Sequence, residues 1–436
     1  MTICNRDQIS FPGCKGRRVE ADFSGGDVTS DAGVLLLRQA DRRLGLTAAV
    51  ARVLADPRRQ ASCEHTLLSM LRQRVYGIAA GYEDLNDHDQ LRGDPAIQTA
   101  VDRDGVLASS PTLCRLENRA DRRAAVAIHQ VLVEQFIDSF AKPPTELILD
   151  FDATDDPVHG NQEGRFFHGY YDRYCFLPLY VTCRDRLLAA YLRPSNIDGA
   201  KHSGAILALL VKRLRQEWPQ VRIVLRADSG FCRWRMLRWC DRHAVHYIVG
   251  LAQNKRINEL AAPLIERARQ RCKATGRKQR LFGSLRYGAH TWDRERRVIA
   301  RIEHSPKGSN PRYVVTNLPG NSQKLYDRIY CARGEMENRI KEQLQLFSDR
   351  TSAHRWWPNQ LRLLLSALAY TLLEAVRRLG LKGTELARAQ VSTIRLKLLK
   401  IGAVIVRNTR RVRFLLASTC PYQDLFRLVA QRLAIE

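Results

Sequence analysis

The order of strand-like and helix-like segments between residues 145 and 252 most constrains how this 436-residue chain can fold. Short apolar or β-branched runs predict strands, and apolar residues at helical spacing predict amphipathic helices. In chain order the segments are TELILDFDAT, GYYDRYCFLPLYVTC, DRLLAAYLRP, GAILALLVKRLRQEW, VRIVLRADSG, FCRWRMLRWCDRHA and VHYIVGLA. They give strand, strand, strand, helix, strand, helix and a last strand. This is the order of a mixed α/β sheet.

The sequence on either side differs from this central part. Residues 1–140 show helical apolar spacing before the Pro143–Pro144 pair, and a basic helix with alternating strand patterns follows the central part. A helix returns at Leu325, and the tail combines short apolar runs with closely spaced basic residues. The predicted regions are a helical N-terminal region (1–140), a first core part (141–253), a β-rich insertion (254–323), a second core part with a helix (324–380) and a basic C-terminal region (381–436).

Charge is distributed unevenly along the chain. The formal net charge is +26, from 71 Lys and Arg against 45 Asp and Glu, and a surplus of this size predicts a polyanionic partner. Residues 1–250 hold 34 basic and 31 acidic side chains, whereas residues 251–436 hold 37 and 14. Most of the basic residues are Arg, either because its planar fork binds phosphate through two parallel hydrogen bonds or because the genome favours Arg codons. Codon bias does not explain the regional asymmetry.

Other features of the composition exclude some classes of protein. The eleven cysteines form no C-x-x-C pair and no cluster with His, which argues against a disulfide framework or a structural zinc site. The N-terminal MTICNRDQIS lacks a signal-peptide pattern, and no uncharged apolar run approaches the roughly 20 residues that span a bilayer. We therefore expect a cytoplasmic protein with no membrane partner.

Two acids lie on the first predicted strand of the central part. In LILDFDATDD, Asp150 and Asp152 are two residues apart, so both project from the same face of the sheet. An acid on an apolar central strand costs desolvation free energy unless it is paired or binds a metal ion. Asp152 is the candidate metal ligand, whereas for Asp150 the favoured interpretation is pairing with a local Arg or capping of a turn.

Two further acids lie at positions suited to a site. Asp228 ends the strand VRIVLRADSG, where ligand groups gather in α/β sheets, although it could simply cap the following helix. In YCARGEMENRIKEQLQLF, Tyr330, Arg333, Glu337 and Lys341 are spaced by three, four and four residues and share one helix face. That face could present an acid to metal ions and the other groups to DNA phosphates. A solvated helix with ordinary Glu–Lys pairs is the alternative.

Acids on rigid elements are what phosphodiester chemistry with Mg²⁺ requires. A pair of Mg²⁺ ions about 3.5 to 4 Å apart activates the nucleophile and stabilises the leaving oxygen. Because Mg²⁺ prefers carboxylate oxygens and water, Asp152, Asp228 and Glu337 are the candidate catalytic and metal-binding residues. The expected cofactor is Mg²⁺, with Mn²⁺ as a possible substitute.

Taken together, these motifs resemble a known family. D-A-T after a strand, R-A-D-S-G-F after a later strand and Y-x-x-R-x-x-x-E on a helix resemble, in this order, bacterial insertion-sequence transposases of the DDE type. The stretches GYEDLNDHDQLRGDP, LDFDATDDPVHGNQEG and DRTSAHRWWPNQLRLLLSALAY look more closely like the family named after insertion sequence thirteen-eighty. The resemblance extends over nearly the whole chain.

The resemblance implies a fold and a set of site residues. It implies a ribonuclease-H-like catalytic core in which two Asp and one Glu, here Asp152, Asp228 and Glu337, hold divalent metal ions, normally Mg²⁺. The N-terminal helices would recognise the element ends. The insertion and the basic C-terminal region would hold the DNA backbone.

The resemblance also implies DNA contacts beside the acids. Tyr330 and Arg333 would approach the DNA near the scissile phosphate. The related signature has a Lys seven residues after the Glu, where this chain has Leu344. Lys341, one helical turn after Glu337, is therefore the nearest candidate for that contact.

Aromatic side chains offer a further possible DNA contact. Four tryptophans could stack on unpaired bases during end processing, with core packing as the favoured alternative. These are Trp234, Trp239, Trp356 and Trp357.

The sequence thus predicts a bacterial transposase that cuts and joins DNA at the terminal inverted repeats of its own element. Its partners would be double-stranded DNA of the element ends and the target, and a second copy of the chain, because two ends must be joined. When bound to DNA it would be associated with the nucleoid. The alternatives are a related nuclease without strand transfer and a catalytically inactive DNA-binding protein. Inverted repeats flanking the gene would favour the transposase.

Overall fold

The computed structural model describes residues 8–434. The first seven residues, on which the expectation about a targeting segment partly rests, and residues 435–436 lie outside this part. No helix in the described part combines the length and apolarity that crossing a membrane requires.

Short strands and six α-helices make up residues 8–117. The strands are β1 (Ile9–Cys14), β2 (Arg17–Ala21) and β3 (Val28–Thr29). The helices are α1 (Val34–Leu44), α2 (Leu46–Val53), α3 (Leu67–Ala80), α4 (Asp87–Leu91), α5 (Pro95–Ala100) and α6 (Ser110–Glu117), with a 3₁₀ turn at Gln60–Ser62.

Strands and helices alternate in the central part. They are α7 (Arg122–Asp138), β4 (Glu146–Ala153), β5 (Asp156–Pro157), β6 (Phe166–His168), β7 (Arg173–Phe176), β8 (Leu179–Cys183), β9 (Arg186–Tyr191), α8 (Ser203–Glu217), β10 (Arg222–Ala227), a 3₁₀ turn (Ser229–Phe231), α9 (Trp234–Arg242), β11 (His246–Leu251), α10 (Lys255–Thr275), β12 (Gln279–Tyr287), β13 (Arg296–Ser305) and β14 (Gly308–Thr316).

Helices of several kinds follow β14. They are α11 (Ser322–Lys324), a π-helical segment (Leu325–Tyr330), a 3₁₀ turn (Cys331–Arg333), α12 (Gly334–Leu344), α13 (Trp356–Ala375), a second π-helical segment (Val376–Gly380), α14 (Val391–Ile394) and a third π-helical segment (Arg395–Leu399). The chain then forms β15 (Ala403–Arg407), β16 (Val412–Leu416) and α15 (Gln423–Leu433).

The described chain divides into two compact units. One comprises residues up to 51, residues 56–116 and residues from 372 onwards, and the other comprises residues 52–55 and 117–371. In the first unit, β3 joins β15 and β16 in an antiparallel sheet, and β1 and β2 form a separate hairpin. Gly33 lies against the backbone at the end of the third π-helical segment, since a Cβ there would come within 1.8 Å of the carbonyl oxygen of Leu398.

The second unit is built on an eight-stranded mixed sheet of order β12-β13-β14-β11-β10-β4-β8-β9. Strand β10 runs parallel to both β4 and β11, and the other neighbouring strands are antiparallel. The predicted mixed α/β sheet is thereby confirmed. The pattern GYYDRYCFLPLYVTC was predicted as one strand, and this was wrong: it contains β7 and β8, and β7 belongs to a separate three-stranded sheet with β5 and β6.

The two faces of strand β4 have different partners. Leu147, Leu149 and Phe151 are buried in the larger core, together with residues from α7 and α8. Ile148 faces the opposite side, where a smaller core includes Leu325 and Tyr326 of the first π-helical segment. Because side chains alternate along a strand, Asp150 and Asp152 project from the same side as Ile148, towards this segment.

Candidate active site

Asp152 and Asp228 lie beside each other on two adjacent parallel strands. Phe151 of β4 pairs with Ala227 of β10, and the residue that follows each of them is an acid, Asp152 and Asp228 respectively. Adjacent strands lie about 4.8 Å apart, and both acids stand at the carboxyl ends of their strands. The sequence placed Asp152 on one strand and Asp228 at the end of another, and the parallel pairing brings the two together.

Asp152 is largely buried, with 13% of its side chain exposed. The pKa of Asp152 is raised to about 6: burial is the largest cause, the negative charges of Asp228 and Glu337 add to it, and the nearby Arg333 opposes it. The three predicted acids are therefore close enough in space for their charges to interact.

Arg333 is the cation between two of these acids. Its Nη1 donates to Oδ2 of Asp152 at 2.9 Å, and its Nη2 donates to Oε1 of Glu337 at 3.4 Å. Although burial opposes its charge, the acids Asp152, Asp228 and Glu337 help to raise the pKa of Arg333. Glu337 stands in the first turn of α12 and is the most exposed of the three acids, with 56% of its side chain accessible.

Asp228 caps the turn that follows β10. Its Oδ1 accepts a hydrogen bond of 2.8 Å from the backbone N–H of Gly230. The capping role considered from the sequence is thus present. It accounts for one carboxylate oxygen of a half-buried side chain, so it does not prevent Asp228 from also binding a cation.

Gly250 makes room for Tyr330 at the neighbouring strand. A Cβ on Gly250 would lie 2.7 Å from the Tyr330 hydroxyl, 2.8 Å from the backbone nitrogen of Ser229 and 3.1 Å from the carbonyl carbon of Asp228. The Tyr330 hydroxyl therefore rests on β11 beside the turn that Asp228 caps. Gly250 was not singled out from the sequence, although a glycine inside a strand pattern is a signal for close approach of another group.

Asp150 has a different role from Asp152. It is 3% exposed and accepts two hydrogen bonds, 2.5 and 2.7 Å long, from the guanidinium of Arg226, which is its register partner on β10. Arg226 also donates to the backbone oxygen of Ile329 at 2.6 Å. Pairing with a local Arg, the interpretation favoured for Asp150, is what the structure has, and the pair ties β4 and β10 to the π-helical segment before Tyr330.

The segment carrying Tyr330, Arg333 and Glu337 was predicted as one helix from Leu325 to Phe347. The prediction of helical structure is confirmed, but the segment is π-helical to Tyr330, then a 3₁₀ turn to Arg333, and α-helical only from Gly334 to Leu344. Lys341 is exposed on α12 and, within residues 8–434, forms no ion pair with the three acids.

Basic side chains also line the outer part of this unit. Glu266 and Arg269 form an ion pair on α10, and Arg280 of β12 pairs with Asp327 at 2.5 Å. The other basic residues between them extend into solvent. The exposed ones are Arg267, Arg271, Lys273 and Arg277, whereas Lys278 pairs with Glu303 at 3.0 Å.

Two of the four tryptophans have clear packing partners. The Trp356 ring lies edge-on to Phe176, with centroids 5.4 Å apart, and a Cβ on Gly164 would meet it at 2.6 Å. Trp239 stacks on His243 at 4.2 Å. Both rings are therefore engaged within the protein.

The acids were also considered as ligands of a metal ion. Across residues 8–434, no three His, Cys, Asp or Glu side chains are arranged to share one ion, and the cation bridging Asp152 and Glu337 is the Arg333 guanidinium. The donor set nevertheless fits a hard divalent cation. Carboxylate oxygens are the ligands that such a cation prefers, and the charges of Asp228 and Glu337 raise the pKa of Asp152, a repulsion that a bound cation would relieve.

Comparisons with known proteins identify the family of the chain. Among solved structures, the chain is similar to a piggyBac transposase in a synaptic complex with hairpin DNA, with a TM-score of 0.43, 11% sequence identity, and coverage of 85% of this chain and 80% of that one. A search of curated proteins finds no match. The family described as transposase DDE domain group 1 matches residues 11–435, and the chain therefore belongs to that family.

Proposed function

We propose that this protein is a transposase that cuts DNA at the ends of its own mobile element and joins those ends to target DNA. The observation that carries the proposal is the arrangement of three acids: Asp152 and Asp228 lie on neighbouring parallel strands, and Arg333 links Asp152 to Glu337. Family membership supports the same conclusion.

We assign the second unit a ribonuclease-H-like core. The part of the sheet ordered β9-β8-β4-β10-β11 supports this, because three antiparallel strands continue into two parallel ones, with α8 between β9 and β10 and α9 between β10 and β11. Strands β12–β14 extend the sheet beyond β11 as the proposed insertion.

Asp152, Asp228 and Glu337 would hold Mg²⁺, or Mn²⁺ in its place. When bound, such ions activate the attacking water or 3′ hydroxyl and stabilise the leaving oxygen. Arg333, once freed from Asp152, is placed to donate its planar fork to the scissile phosphate. The Tyr330 hydroxyl, which lies against Gly250, would help to position the DNA strand that carries this phosphate.

Double-stranded DNA carrying the terminal inverted repeats is the proposed partner, with a second copy of the chain to bring two ends together. The net charge of +26 and the exposed basic residues of α10 and the following turn support a polyanionic partner. Within the family, the motifs favour assignment to the bacterial group named after insertion sequence thirteen-eighty.

The proposal is tested by incubating the purified protein with DNA that carries the element's own ends, in Mg²⁺ or in EDTA. We expect cleavage and strand-transfer products in Mg²⁺ alone, and their loss in Asp152→Asn, Asp228→Asn and Glu337→Gln without loss of DNA binding. Glu335→Gln, in the same helical turn as Glu337, is the matched control and should keep activity.

Each alternative predicts a different result. Cleavage without joined products would support a nuclease that lacks strand transfer. Specific binding of the ends with no cleavage in any divalent metal would support a DNA-binding protein without catalysis.

A further inference from the structure

A hairpin rich in exposed aromatic rings follows the strand that carries Asp152. We call residues 165–176, which contain β6, β7 and the turn between them, the aromatic hairpin. Three of its rings are unusually accessible: Phe167 is 53% exposed, Tyr170 is 86% exposed and Tyr174 is 48% exposed. Exposed aromatic side chains grouped in one place are a sign of a binding surface.

The hairpin is anchored at its base. Tyr174 accepts a backbone hydrogen bond of 3.0 Å from Val158, and Phe176 pairs with Asp156 of β5. Ser195 donates its hydroxyl to the backbone oxygen of Phe166 at 2.8 Å. The exposed rings are therefore presented by an ordered element.

Two of the exposed rings form a pair on one face of the hairpin. Phe167 and Tyr174 are register partners, and their rings meet edge to face with centroids 5.7 Å apart. The Arg165 guanidinium lies over the Tyr174 ring, 4.5 Å from its centroid. Tyr170 and Tyr171 form a second pair of rings at the turn, 5.0 Å apart, in which Tyr171 also contacts His168.

The hairpin is close to the acids in space. Strand β5, which pairs with β7, begins four residues after Asp152, and Arg173 of β7 lies 3.8 Å from the carboxylate of Asp155. The negative charges of Asp155 and Asp152 contribute to the raised pKa of Tyr171, behind the larger effect of burial. A DNA strand held at Asp152 would thus pass beside these rings.

The chemistry of the surface favours nucleobases over an apolar protein partner. The Arg165 guanidinium lies against these flat rings, which suits a ligand that has both π faces and phosphates. Paired bases inside a duplex have no free face, so the ligand must be unpaired. We propose that the aromatic hairpin binds unpaired bases of the DNA strand that is cut at the three carboxylates, by stacking them on Phe167 and Tyr174.

This inference rests on the proposed function, because it needs a strand to be opened next to Asp152. It is tested in EDTA, where no cleavage is required, by measuring the Kd for two probes: a blunt duplex and the same duplex with a short single-stranded extension containing 2-aminopurine. The wild type should prefer the extended probe, and stacking should quench the 2-aminopurine fluorescence.

Removing a ring should reduce that preference. We expect Phe167→Ala and Tyr174→Ala each to lower the ratio of the two affinities roughly 10-fold, as base stacking on a single ring predicts. Phe167→Tyr and Tyr174→Phe keep the rings and should keep the ratio. Phe23→Ala, which removes a 96% exposed ring in the other unit, is the matched control.

The blunt probe separates stacking from misfolding, because a misfolded variant would lose affinity for both probes. An unchanged ratio in both alanine variants would overturn the inference, and so would a change in oligomeric state without a change in the ratio. If the wild type cuts DNA in Mg²⁺ but the alanine variants keep the ratio of the two affinities, the stacking inference is overturned and the proposed function is not. A ring-dependent ratio in a protein that never cuts DNA would overturn the proposed function while supporting the stacking surface.

Discussion

The guanidinium of Arg333 lies 2.9 Å from Oδ2 of Asp152, although 181 residues separate them in the sequence. The same guanidinium reaches Glu337 at 3.4 Å. An Arg in this position reduces the repulsion among three neighbouring acids while no other cation is bound. The guanidinium can also bind a phosphate, and it directly contacts two of the proposed metal ligands.

Replacing Arg333 should separate these two roles. We expect Arg333→Gln to reduce DNA cleavage by about 100-fold or more, because a positioned charge at the reacting phosphate is lost. Binding of Mn²⁺ to the DNA-free protein should not weaken, because no proposed ligand is removed. Cleavage assays and Mn²⁺ titrations of the same preparation check this, and full activity in Arg333→Gln would show that the residue only pairs with Asp152.

The buried pair of Asp150 and Arg226 should support the fold rather than the chemistry. Removing one partner leaves an unpaired buried charge, so we expect Asp150→Asn or Arg226→Met to lower the free energy of unfolding by about 3 to 5 kcal/mol. The double variant should recover part of this loss, because no charge is left unpaired. A double-mutant cycle by urea unfolding measures the coupling, and additive losses would contradict it.

Gly250 should be intolerant of a methyl group. In Gly250→Ala the new Cβ would meet the Tyr330 hydroxyl and the backbone at Ser229, and backbone atoms cannot move aside as a side-chain end can. We expect cleavage to fall by roughly 100-fold, as a displacement of about 1 Å near reacting groups predicts. Gly204→Ala, on α8 with open space at its Cβ position, is the control and should retain activity.

Asp156 gives the fold a defined pH dependence. It is 1% exposed, its Oδ2 accepts from the Thr351 hydroxyl at 2.8 Å, and burial raises its pKa from 3.8 to about 8, with further contributions from Asp349 and Asp155. Between these two pKa values the folded protein holds a proton that the unfolded chain has released. The contribution of Asp156 to the free energy of unfolding is therefore fully present below pH 3.8 and is lost as the pH rises to about 8.

The matched variant for this prediction is Asp156→Asn, which keeps an acceptor for Thr351 and does not titrate. We expect the free energy of unfolding, measured with urea at pH 5, 6, 7 and 8, to fall with rising pH more steeply in the wild type than in Asp156→Asn. The difference in slope should reach up to about 1.4 kcal/mol per pH unit. Parallel profiles for the two proteins would show that Asp156 is not protonated in the folded state.

The sequence was informative where local pattern determines the outcome. Strand polarity explains why Asp228 could be placed at the carboxyl end of a strand, and the cost of burying a charge explains why Asp150 was expected to find an Arg. The mixed sheet follows from the order of apolar segments.

Other features depend on pairing between distant segments, which local pattern does not encode. The pattern around Tyr174 did not show that β7 leaves the main sheet, so the aromatic hairpin went unnoticed. The π-helical turn before Tyr330 and its contact with Gly250 depend on how this segment packs against β11. The pairing of β14 with β11 is likewise a long-range contact.

We propose above all that three acids from separate elements form one metal centre. The most direct test is Mn²⁺ binding to the purified protein, followed by electron paramagnetic resonance and competed with Mg²⁺. We predict saturable binding by the wild type and by Glu335→Gln, and strong loss in Asp152→Asn, Asp228→Asn and Glu337→Gln. Equal Mn²⁺ affinity in all five proteins would contradict the claim.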